Sequence, residues 1–248
     1  MNTTIVLLTA AAVLQTGGGD RPPVEEVVNT LDTLYRSASS HSLMEMEIVT
    51  EHWERTLSME AWTEGMEKTL IRITEPARER GTATLRVGDD MWNYLPGTNS
   101  VMRIPPSMMM GSWMGSHFTN DDLVRETSYR EDYDFSYTEW EEPREGRLYL
   151  EMTPHEDAPV VWGRLVMAVR AEDLLPVWIR YYDEDGDQQR IMRFGDIGRL
   201  GGRIMPAEMT IEPTDEEGST TVRYLEAEFG IDLEEGLFTL RSLRSGME

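Results

Sequence analysis

The stretch from Val24 to Val49, VEEVVNTLDTLYRSASSHSLMEMEIV, carries two periods, and the change from one to the other decides the fold class. In its first half Val24, Val27, Val28, Leu31, Leu34 and Tyr35 recur at helical spacing, with Glu25 and Glu26 in the first turn, where the helix dipole favours negative charge. This predicts one amphipathic helix ending near residues 37–40. In the second half Met44, Met46 and Ile48 alternate with Glu45, Glu47 and Val49, the period of a half-buried strand. The same alternation continues at Leu57, Met59 and Ala61 against Ser58, Glu60 and Trp62.

Working outward, strands are expected at residues 68–74, 82–87, 91–95, 100–104, 133–141, 147–152, 162–169, 177–183, 189–194, 203–211 and 220–229. Gly88-Asp89-Asp90, Pro96-Gly97-Thr98-Asn99, Asp185-Gly186 and Thr214 to Gly218 supply turn chemistry between neighbouring runs. Short strands with close turns favour an antiparallel sheet or barrel, with the helix against its concave side. One stretch interrupts the pattern. Pro105 to Leu123, PPSMMMGSWMGSHFTNDDL, does not alternate and ends in Thr119-Asn120-Asp121-Asp122, the signature of a capped short helix.

Toward the N-terminus, Ile5 to Leu14 is an uncharged apolar run followed by Gln15, Thr16 and three glycines, which fits a secretory signal peptide. Residues 1–19 are therefore read as signal and flexible linker, and 20–248 as one domain. The run is too short for a bilayer span, which needs about 20 apolar residues, and no later segment is longer. The protein is expected to be exported and not integral to a membrane.

Composition removes whole classes of function. With 46 acidic and 23 basic side chains the formal net charge is −23, and Lys68 is the sole lysine. Nucleic acid is excluded as a partner, because phosphate backbones are held by clustered Lys and Arg. The absence of cysteine excludes disulfides, thiolate metal sites and a cysteine nucleophile. His41, His52, His117 and His155 fall on different elements without metal-ligand spacing. Asp183-Glu184-Asp185-Gly186-Asp187 has its glycine misplaced for a calcium loop and reads as a hairpin tip. There is no Gly-x-Ser-x-Gly elbow and no phosphate-binding glycine loop. The protein is read as a non-enzyme without a cofactor.

Methionine is the anomaly, at 17 of 248 residues, with Met108, Met109, Met110 and Met114 crowded around Trp113. Thioethers are unbranched and polarizable, so surfaces that hold variable apolar ligands use them. The same side chains with His117 would also suit Cu(I), which makes a methionine-rich copper module the rival reading.

Gly81-Thr82-Ala83-Thr84-Leu85, Gly88-Asp89-Asp90-Met91-Trp92-Asn93-Tyr94-Leu95-Pro96, Arg103-Ile104 and Met114-Gly115-Ser116-His117-Phe118-Thr119-Asn120-Asp121-Asp122-Leu123 together resemble the LolA-like outer-membrane lipoprotein-sorting proteins. In the C-terminal half Leu175-Pro176-Val177, Tyr182-Asp183, Phe194-Gly195-Asp196-Ile197, Gly201-Gly202 and Leu237-Phe238-Thr239 follow in the same order. The resemblance implies a mainly β fold, an incomplete, strongly curved antiparallel barrel (LolA/LolB-like) whose open side is covered by helices and a loop. It also implies a periplasmic carrier of lipoprotein or lipid acyl chains, with the inner-membrane export machinery as a partner. A sensory or scaffolding domain of the same fold, carrying no lipid, is the other alternative. The expected cavity and lid residues are Met44, Met46, Ile48, Leu57, Met59, Trp92, Tyr94, Met108, Met109, Met110, Trp113, Met114 and Phe118, with Pro105 to Phe118 as a mobile lid.

Overall fold

Where apolar and polar residues alternate over a run bounded by turn residues, a strand can bury one face, and the chain does this thirteen times in succession. The structure, a computed structural model, describes residues 21–35, 37–125, 129–158 and 160–245. The apolar run read as a signal peptide lies outside the described residues. In chain order come α1 (Val24–Leu34), β1 (Ser39–Thr50), β2 (Glu54–Glu64), β3 (Lys68–Glu75), β4 (Ala83–Val87), β5 (Asp90–Leu95) and β6 (Ser100–Ile104). Two short helices, α2 (Asn120–Arg125) and α3 (Tyr129–Asp132), precede β7 (Tyr133–Tyr137), β8 (Arg147–Pro154) and β9 (Arg164–Arg170). Then follow β10 (Pro176–Tyr182), β11 (Gln188–Leu200), β12 (Arg203–Pro213), β13 (Gly218–Phe229) and α4 (Leu240–Ser245).

All thirteen strands join one antiparallel sheet in the order β6-β5-β4-β3-β2-β1-β13-β12-β11-β10-β9-β8-β7. Because β6 and β7 remain edges, the sheet does not close into a barrel. The first strand pairs with the last, Met46 opposite Val222, so chain start and chain end meet at the middle of the sheet. Each other pairing is a hairpin between sequence neighbours, as the turn residues require.

The main core lies on the concave face. Val27 and Val28 of α1 pack there with Met46, Ile48, Leu57, Met167 and Ile211, all buried, which places the helix against the concave side as its apolar stripe demands. A second cluster occupies the convex face, where α4 lays Leu243 on Leu70, Ala83 and Leu85.

Two strand ends differ from expectation by more than two residues. β7 ends at Tyr137 instead of residue 141, and Trp140 crosses to the convex face to stack on Tyr149 at 6.1 Å and meet Trp178 at 5.0 Å. β11 runs six residues beyond Phe194, because glycines at 195 and 198, poor strand formers in isolation, are held by pairing with Glu208 and Met205. The acidic run from Asp183 is the expected hairpin tip, with the Asp183 carboxylate accepting from the Asp187 backbone N–H at 2.9 Å.

Candidate functional site, an apolar cavity under the helices

Between the concave face, α1 and the loop leading into α2 lies a cavity of about 180 Å³. Strand alternation builds its walls. Every second residue of β1 points inward, so Met44 faces Met59 and Met46 faces Leu57 across the pairing with β2, while Met167, Met192 and Met209 arrive from β9, β11 and β12. Six methionines thus line it, with Leu31 and Leu34 of α1, and Tyr35 just past its end, above them.

Trp113 and Phe118 close one side. Trp113 is 2% exposed, and its indole N–H donates to Thr84 Oγ1 at 3.0 Å, which itself donates to Asn93 Oδ1 at 2.7 Å. The loop carrying them is pinned at several further points. The Trp113 backbone N–H donates to the Phe118 carbonyl at 2.7 Å, Arg55 donates to the Met114 carbonyl, and the His117 N–H donates to Thr220 Oγ1 at 3.0 Å. Gly111 serves close packing, since a Cβ there would stand 3.0 Å from the Met108 carbonyl oxygen, and Gly115 takes a φ of +75°. The stretch expected as a lid is, in this state, a bonded wall.

At the loop's end, α2 begins with a reciprocal cap. The Thr119 N–H donates to Asp122 Oδ2 at 2.7 Å and the Asp122 N–H to Thr119 Oγ1 at 3.1 Å, as the sequence Thr-Asn-Asp-Asp predicts. The same Asp122 carboxylate receives both terminal nitrogens of Arg190, at 2.8 and 2.5 Å. Arg190 is buried between the rings of Trp162 and Tyr181, at 4.6 and 4.3 Å from their centroids. Burial alone would lower its guanidinium pKa, but the Asp122 charge and hydrogen bonds outweigh that and hold it above the usual arginine range. In α1, burial raises the Asp32 carboxyl above its ordinary value, against the lowering effect of the Tyr129 N–H at 3.1 Å and of Arg130.

Of the residues expected to form the site, Met44, Met46, Met59, Trp113 and Phe118 line the cavity. Ile48 and Leu57 are buried in the core beside it, and Met109 and Met114 pack partly buried against that core. Four stand elsewhere. Trp92 and Tyr94 point to the convex face and pack in the cluster under α4, because Met91, one position earlier, takes the concave side of β5. Met108 and Met110 are 54% and 43% exposed, since the turn over 106–108 directs them outward. The rival copper set does not form one cluster of free donors: His117 Nδ1 lies 2.8 Å from Thr220 Oγ1, and two of the four sulfurs belong to side chains facing solvent. Among the described residues no group of three His, Asp or Glu side chains is arranged to hold a metal ion.

The sequence reading passed over Met167, Met192, Met209 and the Asp122–Arg190 pair. For the methionines the signal was present: each lies at i, i+2 spacing with another inward residue, Leu165, Phe194 and Ile211 respectively. For the ion pair there was none, since 68 positions separate its members.

The fold and the residues matched both bear on kinship. A family model described as "-like: Uncharacterized protein" matches residues 65–245, from the turn before β3 through α4. Among solved structures, a DUF1329 family protein from Desulfovibrio piger is 25% identical, with 88% of this chain and 96% of that one covered at a TM-score of 0.78. A LolA superfamily protein from Nitrosomonas europaea, 20% identical, has a TM-score of 0.73 with 88% and 98% covered. The chain belongs to the family of that model, and its fold is LolA-like. A third structure, described as an outer membrane lipoprotein-sorting protein domain from Vibrio parahaemolyticus, is 24% identical over 88% of this chain and 97% of that one, with a TM-score of 0.75. No curated protein matches the chain. Among the described residues of this LolA-like protein no helix is long and apolar enough to cross a membrane.

Proposed function

We propose that this LolA-like protein is a periplasmic carrier that takes the acyl chains of lipoproteins, or of lipids, into the cavity under α1 and takes part in outer-membrane lipoprotein sorting. Residues 1–19 serve export, residues 20–248 form the single binding domain, and an inner-membrane export complex loads it. The observation that carries this reading is the lining itself: six methionines with leucine, isoleucine and aromatic neighbours, enclosed by a helix and a bonded loop. Flexible thioethers refill space as a chain enters or leaves, which a lining of β-branched residues does far less readily. Each methylene moved from water into such a lining contributes about 0.8 kcal/mol, so a long chain supplies roughly 10 kcal/mol before the costs of association. Binding alone accomplishes the task, and no covalent step is required.

The test is native mass spectrometry of protein purified from a Gram-negative host, joined to displacement of the neutral fluorophore N-phenyl-1-naphthylamine by acyl lipids. Co-purified lipid and competitive displacement are expected. Stoichiometric copper without lipid, or failure of any acyl ligand to displace the fluorophore, overturns the carrier reading.

A further inference from the structure

The sheet ends on two edges, and the chain treats them differently. At β7 the edge is guarded. There α1 and α3 pack against the strand, the Tyr137 hydroxyl donates to the Pro22 carbonyl at 2.9 Å with the Arg21 guanidinium over its ring, and Asp134 sets a charge on the edge. At β6 none of this is found. Its only neighbour is β5, and among the described residues no backbone group of Ser100–Ile104 makes a backbone hydrogen bond on the outer side. Such an edge presents a row of N–H and C=O groups that take up another strand, and proteins blunt it with lysine, proline, a bulge or a covering element. The strand reads Ser-Val-Met-Arg-Ile and pairs without a bulge.

The open edge belongs to the one neutral stretch of an acidic protein. Residues 91–120 carry a single charged side chain, Arg103, in a chain that is 28% charged with a net charge of −23. Asp90, at the start of β5, pairs with that arginine. Four of the ten exposed large apolar side chains among the described residues, Leu95, Met102, Met108 and Met110, fall within this stretch. A site for a cationic partner would carry carboxylates, which this chain has in abundance, and a site for an anionic partner would carry basic residues. A two-fold contact between copies differs from both, because it sets the same patch against itself and so brings like charges together. Neutrality is what such a contact requires, and residues 91–120 hold none of the 46 acidic side chains.

We propose that β6 pairs antiparallel with β6 of a second copy of this chain, joining the two sheets across a two-fold axis. The register centres on Met102, which faces Met102 of the second copy, so that Val101 faces Arg103 and Ser100 faces Ile104. Centring on Arg103 instead would oppose like charges. Because β7 is guarded, each copy offers one open edge, and the assembly closes at two copies without growing into a filament. The turn that follows β6 adds the exposed Met108 and Met110 beside the pairing. The proposal is independent of what the cavity holds.

The experiment is sedimentation velocity of the purified protein across the micromolar range, at low and at high salt. A monomer–dimer equilibrium is expected that tightens as salt rises, since screening relieves the repulsion between two chains of charge −23. Met102→Lys lowers the net negative charge yet opposes two ammonium groups at the axis. It should weaken the dimer by about tenfold or more and leave the thermal midpoint unchanged, because the side chain is half-exposed. The chain has no cysteine, so single introduced cysteines report the geometry directly. M102C should form a disulfide-linked dimer under mild oxidation, whereas S136C, on β7, should not. A monomeric mass at every concentration and salt, a dimer unaffected by M102K, or a crosslink at S136C with none at M102C overturns the proposal. Flotation with vesicles of phosphatidylethanolamine and phosphatidylglycerol tests the other occupant. A native protein that is monomeric in solution but floats with the vesicles, and an M102S variant that does not, would assign the edge to a lipid surface and overturn the pairing of copies.

Discussion

Replacing Trp113 with alanine tests whether the loop over the cavity is core or lid. The side chain is almost wholly buried and packs in the main cluster, and its indole N–H supplies the hydrogen bond that orients Thr84 toward Asn93. Truncating a buried tryptophan costs about 3–5 kcal/mol, from lost transfer free energy and the void left behind. For a chain of this size each kcal/mol corresponds to roughly 2–4 °C, so W113A should melt roughly 6–20 °C below the native protein. Trp113→Phe keeps most of the ring and loses the bond to Thr84, for a cost of about 1 kcal/mol. The assays are thermal melting and urea denaturation by tryptophan fluorescence and circular dichroism, with N-phenyl-1-naphthylamine titrated at a temperature where all variants are folded. Folded W113A should still bind the fluorophore, because the truncation enlarges the apolar space. A midpoint within about 3 °C of native, with fluorophore binding abolished, would refute this reasoning and make the loop a releasable lid.

Three further outcomes follow from the same packing. Asp122→Ala leaves the buried Arg190 cation uncompensated and should cost about 3–5 kcal/mol, whereas the double variant D122A/R190M should recover most of that loss, measured by a urea double-mutant cycle. Because burial raises the Asp32 carboxyl above 3.8, its contribution to stability is complete below that pH and is lost as pH rises through the raised value. Asp32→Asn should therefore match the native protein in acid and exceed it at neutral pH, while still accepting the Tyr129 N–H, as urea midpoints across pH would show. Trp92→Ala should lower stability yet leave fluorophore affinity unchanged, because its ring packs under α4 on the convex face, whereas Met46→Ser should weaken binding by about tenfold.

Local pattern determined much of this protein. The switch of period after residue 40, the alternation in later segments and the turn residues between them specify one helix and thirteen strands in order, since a strand's period and a hairpin's turn are properties of neighbouring residues. The cap at Thr119 and the inward set Met44, Met46 and Met59 were legible for the same reason. Alternation says which residues share a face, however, and not which face looks inward when both are covered. On β5 the C-terminal helix α4 makes an apolar convex face, so Trp92 and Tyr94 point there and Met91 takes the concave side, a choice made by a segment about 150 residues away in the chain. The burial of Trp113 and the pairing of Asp122 with Arg190 were likewise decided by tertiary structure. Each depends on distant segments arriving at one height on a curved sheet, and register and curvature between strands leave no mark in the spacing of residues along either strand.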